Sequence, residues 1–465
     1  MTTALVEAAR NWPAAAERTA RQRWRTSERW GRLVFALILV SAVTMFAAGP
    51  VAALLVVTTS MLAVAVLGVW YPVPGFLAIG ILCTLDAVTG PLLQTLGWWR
   101  WNTVNYWLLA AAVLAAPLLL RVRDLPTRFL QALLVLSIVE LAPSTDRAAG
   151  AQLILELFVY WGILAYLLRA PSAASAWYWF GVACGTAGAL AGGALVLGGA
   201  GAAGWPINPN VWSFTPLTGL FAICLALTRM PVDRQGRMPL YVLAFLNVTW
   251  VFLSSSRGTL SLALVCVTYL LVTAGGLRRS VAIGLAGLML CLAVVSRFPT
   301  LGSSTVERVL LLVNRDATMR VRTSGRDELL RGGLRLVGER PLGIGTGGFS
   351  DAWTRVAAPG SGLRFRRGEP SSAHSGWVRL LAENGLPGAA LFACFVLAVA
   401  AAGFTTGDRR LRMAGLFVAA VIGLAFAATD MHSKGLWLLA AGGIALLYRR
   451  PVPAQSPTRS GALDV

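Results

Sequence analysis

The chain has 465 residues, of which 57% are hydrophobic and 13% charged, and its formal net charge is +20. This composition excludes an ordinary water-soluble globular protein and predicts a polytopic membrane protein. Apart from one long polar interval, the arginines lie mainly in short connections between apolar runs. Membrane topology and anionic lipid explain them there better than nucleic acid does, so no nucleic-acid partner is expected.

The first 31 residues predict a basic segment on the cytoplasmic membrane surface. They combine tryptophans with several arginines, which suits a helix lying among lipid headgroups. A disordered basic tail is the alternative. No short apolar core with a small-residue cleavage site follows, so a cleaved signal peptide is not expected.

Apolar runs long enough to cross a bilayer recur along the chain, since a span needs about 20 largely apolar residues. We predict about fourteen spans, or about twelve if one pair forms a re-entrant hairpin: 32–49, 51–70, 73–88, 104–121, 127–142, 150–168, 176–199, 211–229, 238–255, 257–275, 279–296, 386–404, 411–429 and 435–449. The predicted fold class is an all-α polytopic membrane protein with one large, partly helical extracytoplasmic loop.

These runs divide the chain into five parts. We predict a cytoplasmic interfacial segment at 1–31, an N-terminal transmembrane bundle of about eleven spans at 32–296, a large extracytoplasmic loop at 297–385, C-terminal transmembrane helices at 386–449 and a cytoplasmic tail at 450–465. Basic residues alternate along the short loops as this orientation requires. Long loops are exempt from that rule, so the arginines of the large loop need another explanation.

Placing an ionisable residue inside a membrane span costs free energy, so each such residue is a candidate functional residue. Asp86 and Glu140 fall at the outer ends of their predicted spans, and Glu156 falls in an outer half. No trail of charges crosses the midplane, as a proton-coupled transporter would require. We therefore expect the chemistry on the outer face.

The cysteines predict neither disulfides nor a metal site. All six lie inside apolar runs, and none has a paired spacing such as CxxC. No metal site or other cofactor is predicted.

Two polar motifs fall at predicted outer span ends. The string WPINPNVW, with Asn208 and Asn210, opens the span at 211–229. The string FLSSSRG places Arg257 at the turn between two spans. A guanidinium there could bind phosphate oxygens bidentately. The alternative is a snorkelling arginine bonded to helix-end carbonyls.

The large loop contains one strongly amphipathic stretch, SGRDELLRGGLRLVGERP, from Ser324 to Pro341. Ser324 is a plausible N-cap, and apolar residues follow at helical spacing. These are Leu329, Leu330, Leu334 and Val337. The pattern predicts a helix lying on the membrane, with Arg326 in its first turn. A solvated charged face is the alternative, and it fits Arg331 and Arg335 better than Arg326.

The glycine-rich turn, PLGIGTGGF from Pro341 to Phe349, follows directly. It lacks the GK[ST] of a phosphate-binding loop and follows no predicted strand, so a nucleotide site is not expected. Its backbone N–H groups could bind an anion. A plain flexible loop is the favoured interpretation.

The string SSAHSGWVRLLAENGLPG predicts a further helix, capped by Ser371 or Ser372 and ended by Gly385 and Pro387. His374 would then lie in its first turn, at the positive end of the helix dipole. That dipole and the nearby arginines favour the neutral imidazole, which can accept a proton. An ordinary surface histidine is the alternative.

Taken together, the motifs resemble the O-antigen ligase family of membrane glycosyltransferases, which also holds many Wzy-type polysaccharide polymerases and protein O-oligosaccharyltransferases. The resemblance spans roughly residues 205–390. It rests on the order and spacing of NPN before the span at 211–229, SSRG at Arg257, SGRxEL at Arg326, the glycine-rich turn, and HSGWxRLLAENGLPG at His374.

The resemblance implies a GT-C-like enzyme of the bacterial inner (cytoplasmic) membrane with its active site on the periplasmic face. Such an enzyme moves a glycan from an undecaprenyl diphosphate carrier to a hydroxyl of lipid A-core or of a growing glycan, without metal or cofactor. By motif match, Arg257 and Arg326 correspond to the arginines that hold the diphosphate, and His374 to the catalytic histidine. The family commonly has His-Asn where this chain has His374-Ser375.

The chemistry suits these residue types. Two arginines on the diphosphate would supply the charge stabilisation that a metal ion supplies elsewhere. A neutral histidine could act as general base, and direct displacement would invert the anomeric carbon. Further candidates for binding substrate or balancing charge are Asn210, Glu156, Asp86 and Glu140. A transporter or flippase of lipid-linked glycans, and a scaffolding protein, are the alternatives of other classes.

Overall fold

The computed structural model describes residues 25–26, 28–40, 43, 72–95, 124–168, 174–197, 213–230, 235–254, 256–273, 326–356, 375–428 and 434–448. Within these ranges the secondary structure is helical, with turns and short loops and no strand, which confirms the all-α class. The predicted spans at 51–70, 104–121 and 279–296 lie outside the described residues, as do Asn210 and His374.

The described ranges contain a series of α-helices numbered here in chain order. They are α1 (Pro72–Thr95), α2 (Leu125–Val139), α3 (Arg147–Leu168), α4 (Ala174–Leu197), α5 (Phe214–Arg229), α6 (Met238–Leu253), α7 (Arg257–Thr273), α8 (Arg326–Glu339), α9 (Phe349–Val356), α10 (Gly376–Phe404), α11 (Arg409–Ala428) and α12 (Lys434–Tyr448). Residues 28–40 are helical as well.

Three of these helices are long and apolar enough to cross a membrane, in the segments Arg147–Leu164, Gly376–Phe404 and Arg409–Ala427. Six shorter apolar helices accompany them among the described residues. The repeated apolar helices agree with a polytopic membrane protein. The total of about twelve to fourteen spans stays a prediction, because several of the predicted spans fall outside the described ranges.

Helix α5 lies at the centre of the bundle. All of its residues from Thr215 to Leu227 are buried, and it contacts α1, α4, α6, α7, α11 and α12. A helix that is apolar on every side is stable only when neighbours surround it. Small residues let α4 approach closely, since a methyl group on Gly181 would lie 2.6 Å from the Cβ of Ala226.

One polar side chain joins two helices inside this core. Asn247 on α6 is fully buried, and its Nδ2 donates hydrogen bonds of 2.8 Å to the carbonyls of Gly185 on α4 and of Leu243. Hydrogen bonds of this kind stabilise helix pairs in lipid by about 0.6–2 kcal/mol. In the sequence Asn247 is a lone amide within an apolar run, and only the folded structure reveals its partner on α4.

The starts of α5, α7 and α12 lie at one end of the bundle. Thr259, in the first turn of α7, donates a 3.1 Å hydrogen bond to the hydroxyl of Ser213, the N-cap of α5. A methyl group on Gly435, the second residue of α12, would meet the hydroxyl of Thr218 on α5 at 1.9 Å. The first residues of these three helices therefore lie close together.

The start of α10 lies at this end too. Trp377 donates a 3.1 Å hydrogen bond from its indole Nε1 to the carbonyl of Gly423, close to the end of α11. A methyl group on Gly376 would touch the ring of Phe426 on α11. Helix α11 ends a few residues before α12 begins, so the beginnings of α5, α7, α10 and α12 share one end of the bundle.

Helix α1 differs from its predicted span at 73–88. It continues to Thr95, so Asp86 lies within the helix and not at its end. The helix continues through the string TGP after Asp86, although a proline inside a helix removes one backbone hydrogen bond.

Candidate functional site

The described part of α8 starts at Arg326, and the helix packs one face on neighbouring helices. The helical structure agrees with the amphipathic pattern, and its location on the membrane stays a prediction. Leu329 and Leu336 are buried in a small core that also contains Phe349 and Trp353 of α9 and Val378 of α10. Glycines complete this face of α8. A methyl group on Gly332 would lie 2.1 Å from the Trp353 ring, and one on Gly333 would lie 2.5 Å from Val378.

The predicted apolar stripe of α8 is split between two faces. Leu329 is buried, but Leu330 is 46% exposed and Leu334 is 53% exposed. Arg331 and Arg335 are exposed beside them. The two glycines on the inner face explain the difference, since they give the neighbouring helices a close approach that large side chains would prevent.

From Ile344 onward the glycine-rich turn is buried and tightly packed, so the favoured interpretation as a plain flexible loop is wrong. Residues 344–349 are all buried. Gly343, Gly345 and Gly347 have φ values of 102°, 97° and 88°, which side-chain-bearing residues rarely adopt. The alternation of glycines is therefore required by the backbone and does not indicate mobility.

The turn joins α10 to the corner between α2 and α3 through its backbone. The N–H groups of Ile344 and Gly345 donate to the carbonyls of Ala382 and Glu383 on α10, both at 3.0 Å. The next residue, Thr346, donates its N–H to the carbonyl of Glu140 at 3.0 Å. Because these N–H groups already have carbonyl partners, they are not available to an anion, and an anion site on them is not supported.

Side chains reinforce the same junction. The hydroxyl of Thr346 donates to the carbonyl of Ser137 on α2 at 2.9 Å, and the amide of Asn384 on α10 donates to that hydroxyl at 3.1 Å. Thr346 and Asn384 are almost completely buried. A single buried hydroxyl thus connects two helices that are far apart in the sequence.

A buried ion pair stabilises the first half of α10. The Nε of Arg379 donates to Oε1 of Glu383 at 3.1 Å, and the N–H of Phe349 donates to the same oxygen at 3.4 Å. Glu383 is fully buried, and within the described structure its Oε2 has no hydrogen-bond partner. Neither residue was predicted as important from the sequence, although their spacing of four and the single carboxylate in an apolar helix were available signals.

Loss of one member of this pair is expected to destabilise the protein strongly. Arg379→Ala leaves the Glu383 carboxylate buried without its counter-charge, a change that typically costs about 3–5 kcal/mol. The double variant Arg379→Met, Glu383→Gln removes both charges and should lose much less folding stability. The introduced amide keeps an oxygen that accepts the hydrogen bond from the Phe349 N–H. Thermal unfolding of the purified protein in detergent measures the difference.

A matched pair on the surface provides the control. Arg32 and Glu28 have the same spacing of four, but the arginine side chain is 71% exposed. Exposed pairs contribute little, so Arg32→Ala should leave the unfolding temperature unchanged. An equal loss from Arg379→Ala and Arg32→Ala would contradict the interpretation of a buried, structurally required pair.

The predicted carboxylates lie at different distances from the turn. Glu140 caps the end of α2, beyond its last helical residue, and its carbonyl binds Thr346. Glu156 is buried on α3 and accepts a 3.3 Å hydrogen bond from Gln152. It lies about 9 Å along the helix from Gly150, the residue of α3 that touches the turn. Asp86 is half-buried on α1.

Of the two predicted site arginines, Arg257 is the first residue of α7, and Arg326 is the first described residue of α8. Helix α10 begins at Gly376, and its N-cap, Ser375, has an extended backbone with φ of −154°. The predicted cap at Ser371 or Ser372 is therefore wrong, and His374 precedes the N-cap instead of belonging to the first turn. The predicted helix end at Gly385 and Pro387 is a kink within α10.

Residues 242–393 match the family model described as O-antigen ligase. No curated protein matches the chain. The matched segment includes Arg257, Arg326, the glycine-rich turn and His374, and leaves Asn210 and the three predicted carboxylates outside.

Proposed function

Since the chain belongs through residues 242–393 to the O-antigen ligase family, we propose that it is an O-antigen ligase of the bacterial inner membrane, with its active site on the periplasmic face. Family membership implies ligase or polymerase activity of a glycosyltransferase-like membrane enzyme on a lipid-linked glycan and an acceptor. The observation that carries the proposal is the family match over the segment that holds Arg257, Arg326 and His374.

In the proposed reaction a hydroxyl of lipid A-core attacks the anomeric carbon of a glycan on undecaprenyl diphosphate. The new bond forms between that oxygen and the anomeric carbon, while the bond from the carbon to the diphosphate oxygen breaks. The hydroxyl proton passes to the neutral imidazole of His374, and the diphosphate leaves with the bonding electron pair. Attack opposite the leaving group inverts the anomeric configuration.

In this proposal Arg257 and Arg326 hold the diphosphate. Guanidinium groups bind phosphate oxygens through paired N–H donors, and charge on the leaving diphosphate grows as the bond breaks. Donors held in place before the reaction stabilise that charge without reorganising during it. Arg257 is the first residue of α7, which starts at the same end of the bundle as α10.

The buried network around the glycine-rich turn supports the positioning part of the proposal. It holds α8 and α10 against the corner of α2 and α3 through backbone and side-chain hydrogen bonds. A displacement of about 1 Å in a catalytic group lowers rates by about a hundredfold, so reactive groups benefit from rigid supports. Helices α8 and α10 begin at or next to the two motif residues Arg326 and His374.

The same donor chemistry serves a second candidate, a Wzy-type polymerase that extends the lipid-linked glycan. The family match covers both activities, and only the acceptor differs. In a polymerase the attacking hydroxyl belongs to a second carrier-linked glycan, and the proton and leaving diphosphate follow the same course.

The proposal is tested with the full chain in nanodiscs, an undecaprenyl diphosphate-linked glycan and either lipid A-core or a second lipid-linked glycan. Mass spectrometry of the lipid products identifies the acceptor. Product on lipid A-core, at an equal rate with and without EDTA, is the expected result. Product only on the second glycan would establish a polymerase. Movement of the glycan across the bilayer without transfer would favour a flippase and overturn both.

We propose that the carboxylates of Glu140, Glu156 and Asp86 neutralise the charge of the arginines or form hydrogen bonds with sugar hydroxyls. The amide of Asn210 would form hydrogen bonds with the substrate. Loss of a hydrogen bond to a charged group is expected to lower transfer about tenfold or more. Alanine at each carboxylate is compared with wild type at equal membrane levels. Of the three, Glu140 lies next to the glycine-rich turn and is expected to show the largest effect. Unchanged transfer in all three variants would dismiss the idea.

A further inference from the structure

Helix α10 folds back on itself at Gly385. Trp377 in its first half and Phe392 in its second half would lie about 22 Å apart along a straight helix. Their ring centroids are only 5.1 Å apart, and a methyl group on Gly388 would lie 2.3 Å from the Cβ of Asn384. Gly385 permits this reversal, since its φ is 62° and its ψ is −161°. The first half of α10 therefore returns toward the helical bundle, beside its own second half.

Trp377 attaches the returning start of α10 to α11. Its indole ring packs edge-on against two mutually stacked rings, those of Phe392 and Phe426, with centroid distances of 5.1 Å and 5.8 Å. Its Nε1 donates a 3.1 Å hydrogen bond to the carbonyl of Gly423 on α11. Beside it the backbone of Gly376 is so close to α11 that a methyl group there would lie 2.9 Å from the Phe426 ring. Ring packing and a hydrogen bond thus hold the same indole in place.

The residue held in this way lies three positions after His374. Between them are Ser375, which is the N-cap of α10, and Gly376. The N–H of Arg379 closes the first turn with a 3.1 Å hydrogen bond to the carbonyl of Ser375. A closed helical turn moves as a unit, so a displacement of Trp377 also displaces the N-cap and the backbone of His374 that is joined to it. The indole is therefore coupled to the position of the histidine backbone.

We propose that Trp377 is a positioning residue for His374. The inference rests on the proposed function, in which the His374 imidazole accepts the proton of the acceptor hydroxyl. A general base must lie within hydrogen-bond reach of that proton, and a misplacement of about 1 Å lowers rates by about a hundredfold. The indole does not need to touch the substrate, because its hydrogen bond to Gly423 sets where the first turn of α10 lies on α11.

A purely structural role for Trp377 is the alternative, since a buried aromatic ring stabilises a fold by packing alone. The chain offers a matched tryptophan that separates the two roles. Trp161 is buried on α3, about 21 Å along the helix from its first residue. Its ring packs edge-on against Phe158 at 5.6 Å. Its Nε1 has no hydrogen-bond partner among the residues that the structure describes.

A kinetic double-mutant cycle on the full chain in nanodiscs tests the inference. Trp377→Phe and Trp161→Phe each remove an indole and keep an aromatic ring, but the first also removes a hydrogen bond. Each substitution is made in the wild-type chain and in His374→Ala. Transfer is measured over a range of concentrations of an undecaprenyl diphosphate-linked glycan, with lipid A-core or a second lipid-linked glycan as acceptor. Thermal unfolding is measured for every variant.

Trp377→Phe is expected to lower kcat about tenfold with little change in KM, because the substrate-binding residues are intact and the base is displaced. Trp161→Phe should retain the wild-type kcat, and the two variants should unfold at similar temperatures. In the His374→Ala background, Trp377→Phe should cause no further loss of kcat. A residue that acts by positioning another has no effect once that other side chain is gone.

Two outcomes in an active enzyme would overturn the inference alone. One is a double variant, Trp377→Phe with His374→Ala, whose loss of kcat is the product of the two single losses, since the residues would then act independently. The other is an equal loss of kcat in Trp377→Phe and Trp161→Phe. A wild-type protein that transfers glycan to neither acceptor would overturn the proposed function and the inference with it, so the two failures are distinguishable.

Discussion

Replacing Gly347 by alanine is expected to prevent stable folding of the protein. The residue has a φ of +88°, and a methyl group there would lie 2.2 Å from the backbone nitrogen of Gly150 and 2.6 Å from its Cα. Neither atom can move without shifting α3 or the turn itself. A left-handed backbone alone costs about 1–2 kcal/mol for a residue with a Cβ. With the clash added, the loss should exceed about 4 kcal/mol, which is exceptional for one substitution.

Gly338 provides the matched control. It lies in α8, its φ is not in the left-handed region, and nothing lies within 4 Å of a methyl group placed on it. Gly338→Ala should leave stability unchanged or raise it by up to about 1 kcal/mol, because alanine favours the helix. Thermal unfolding in detergent and the amount of protein recovered from membranes measure both variants. Similar behaviour of the two would contradict the tight turn.

Replacing His374 by alanine is expected to lower glycan transfer by about 10²–10⁴-fold, the usual contribution of a general base. The chain offers a direct control, since His432 is its only other histidine. His432→Ala should retain transfer. Both variants should unfold at the wild-type temperature, which separates loss of chemistry from loss of fold.

The pH dependence of transfer provides a second readout for His374. A general base must be neutral to accept the proton, so the rate should rise with pH through the titration of the imidazole and then level off. His374→Ala should lose this rise along with most of the rate. Retained activity with an unchanged pH profile would remove His374 from the proposed mechanism and leave the family assignment intact.

Arg326 is the companion test of the diphosphate site. Arg326→Ala should lower transfer by about 10²–10³-fold, as removal of a single preorganised donor does in other enzymes. Arg409→Ala, an exposed arginine at the start of α11, should have little effect. Equal losses in the two variants would indicate a general effect of positive charge and not a specific site.

Several local features of the fold were predictable from the amino-acid order. The apolar runs predicted α2 to α7, α11 and α12 near their observed bounds, because hydrophobic length is a property of contiguous residues. Arg257 was expected at the turn between two spans and is the first residue of α7. Arg326 was expected in the first turn of a helix and is the first described residue of α8. The break at Gly385 was expected too, since glycine with proline two residues later disfavours a straight helix.

Predictions that depended on distant partners failed. The glycine-rich turn resembled a flexible loop because its hydrogen-bond partners, such as Ser137 and Glu140, are about 200 residues away in the chain. Arg379 and Glu383 were not predicted, because a spacing of four residues does not reveal that both side chains are buried. The start of α10 was misplaced because several serines near His374 are equally good N-caps by type.

The amino-acid order by itself determined where the helices form, that they belong in a membrane, and which motifs accompany each helix start. These properties follow from interactions within a few residues, so neighbouring side chains suffice to decide them. Tertiary structure alone decided that glycines 343, 345 and 347 fit between three helices, that Glu383 is buried, and that one face of α8 remains exposed. Those outcomes depend on close approach of segments remote in sequence, and a single pattern does not contain the relative positions of several packed helices.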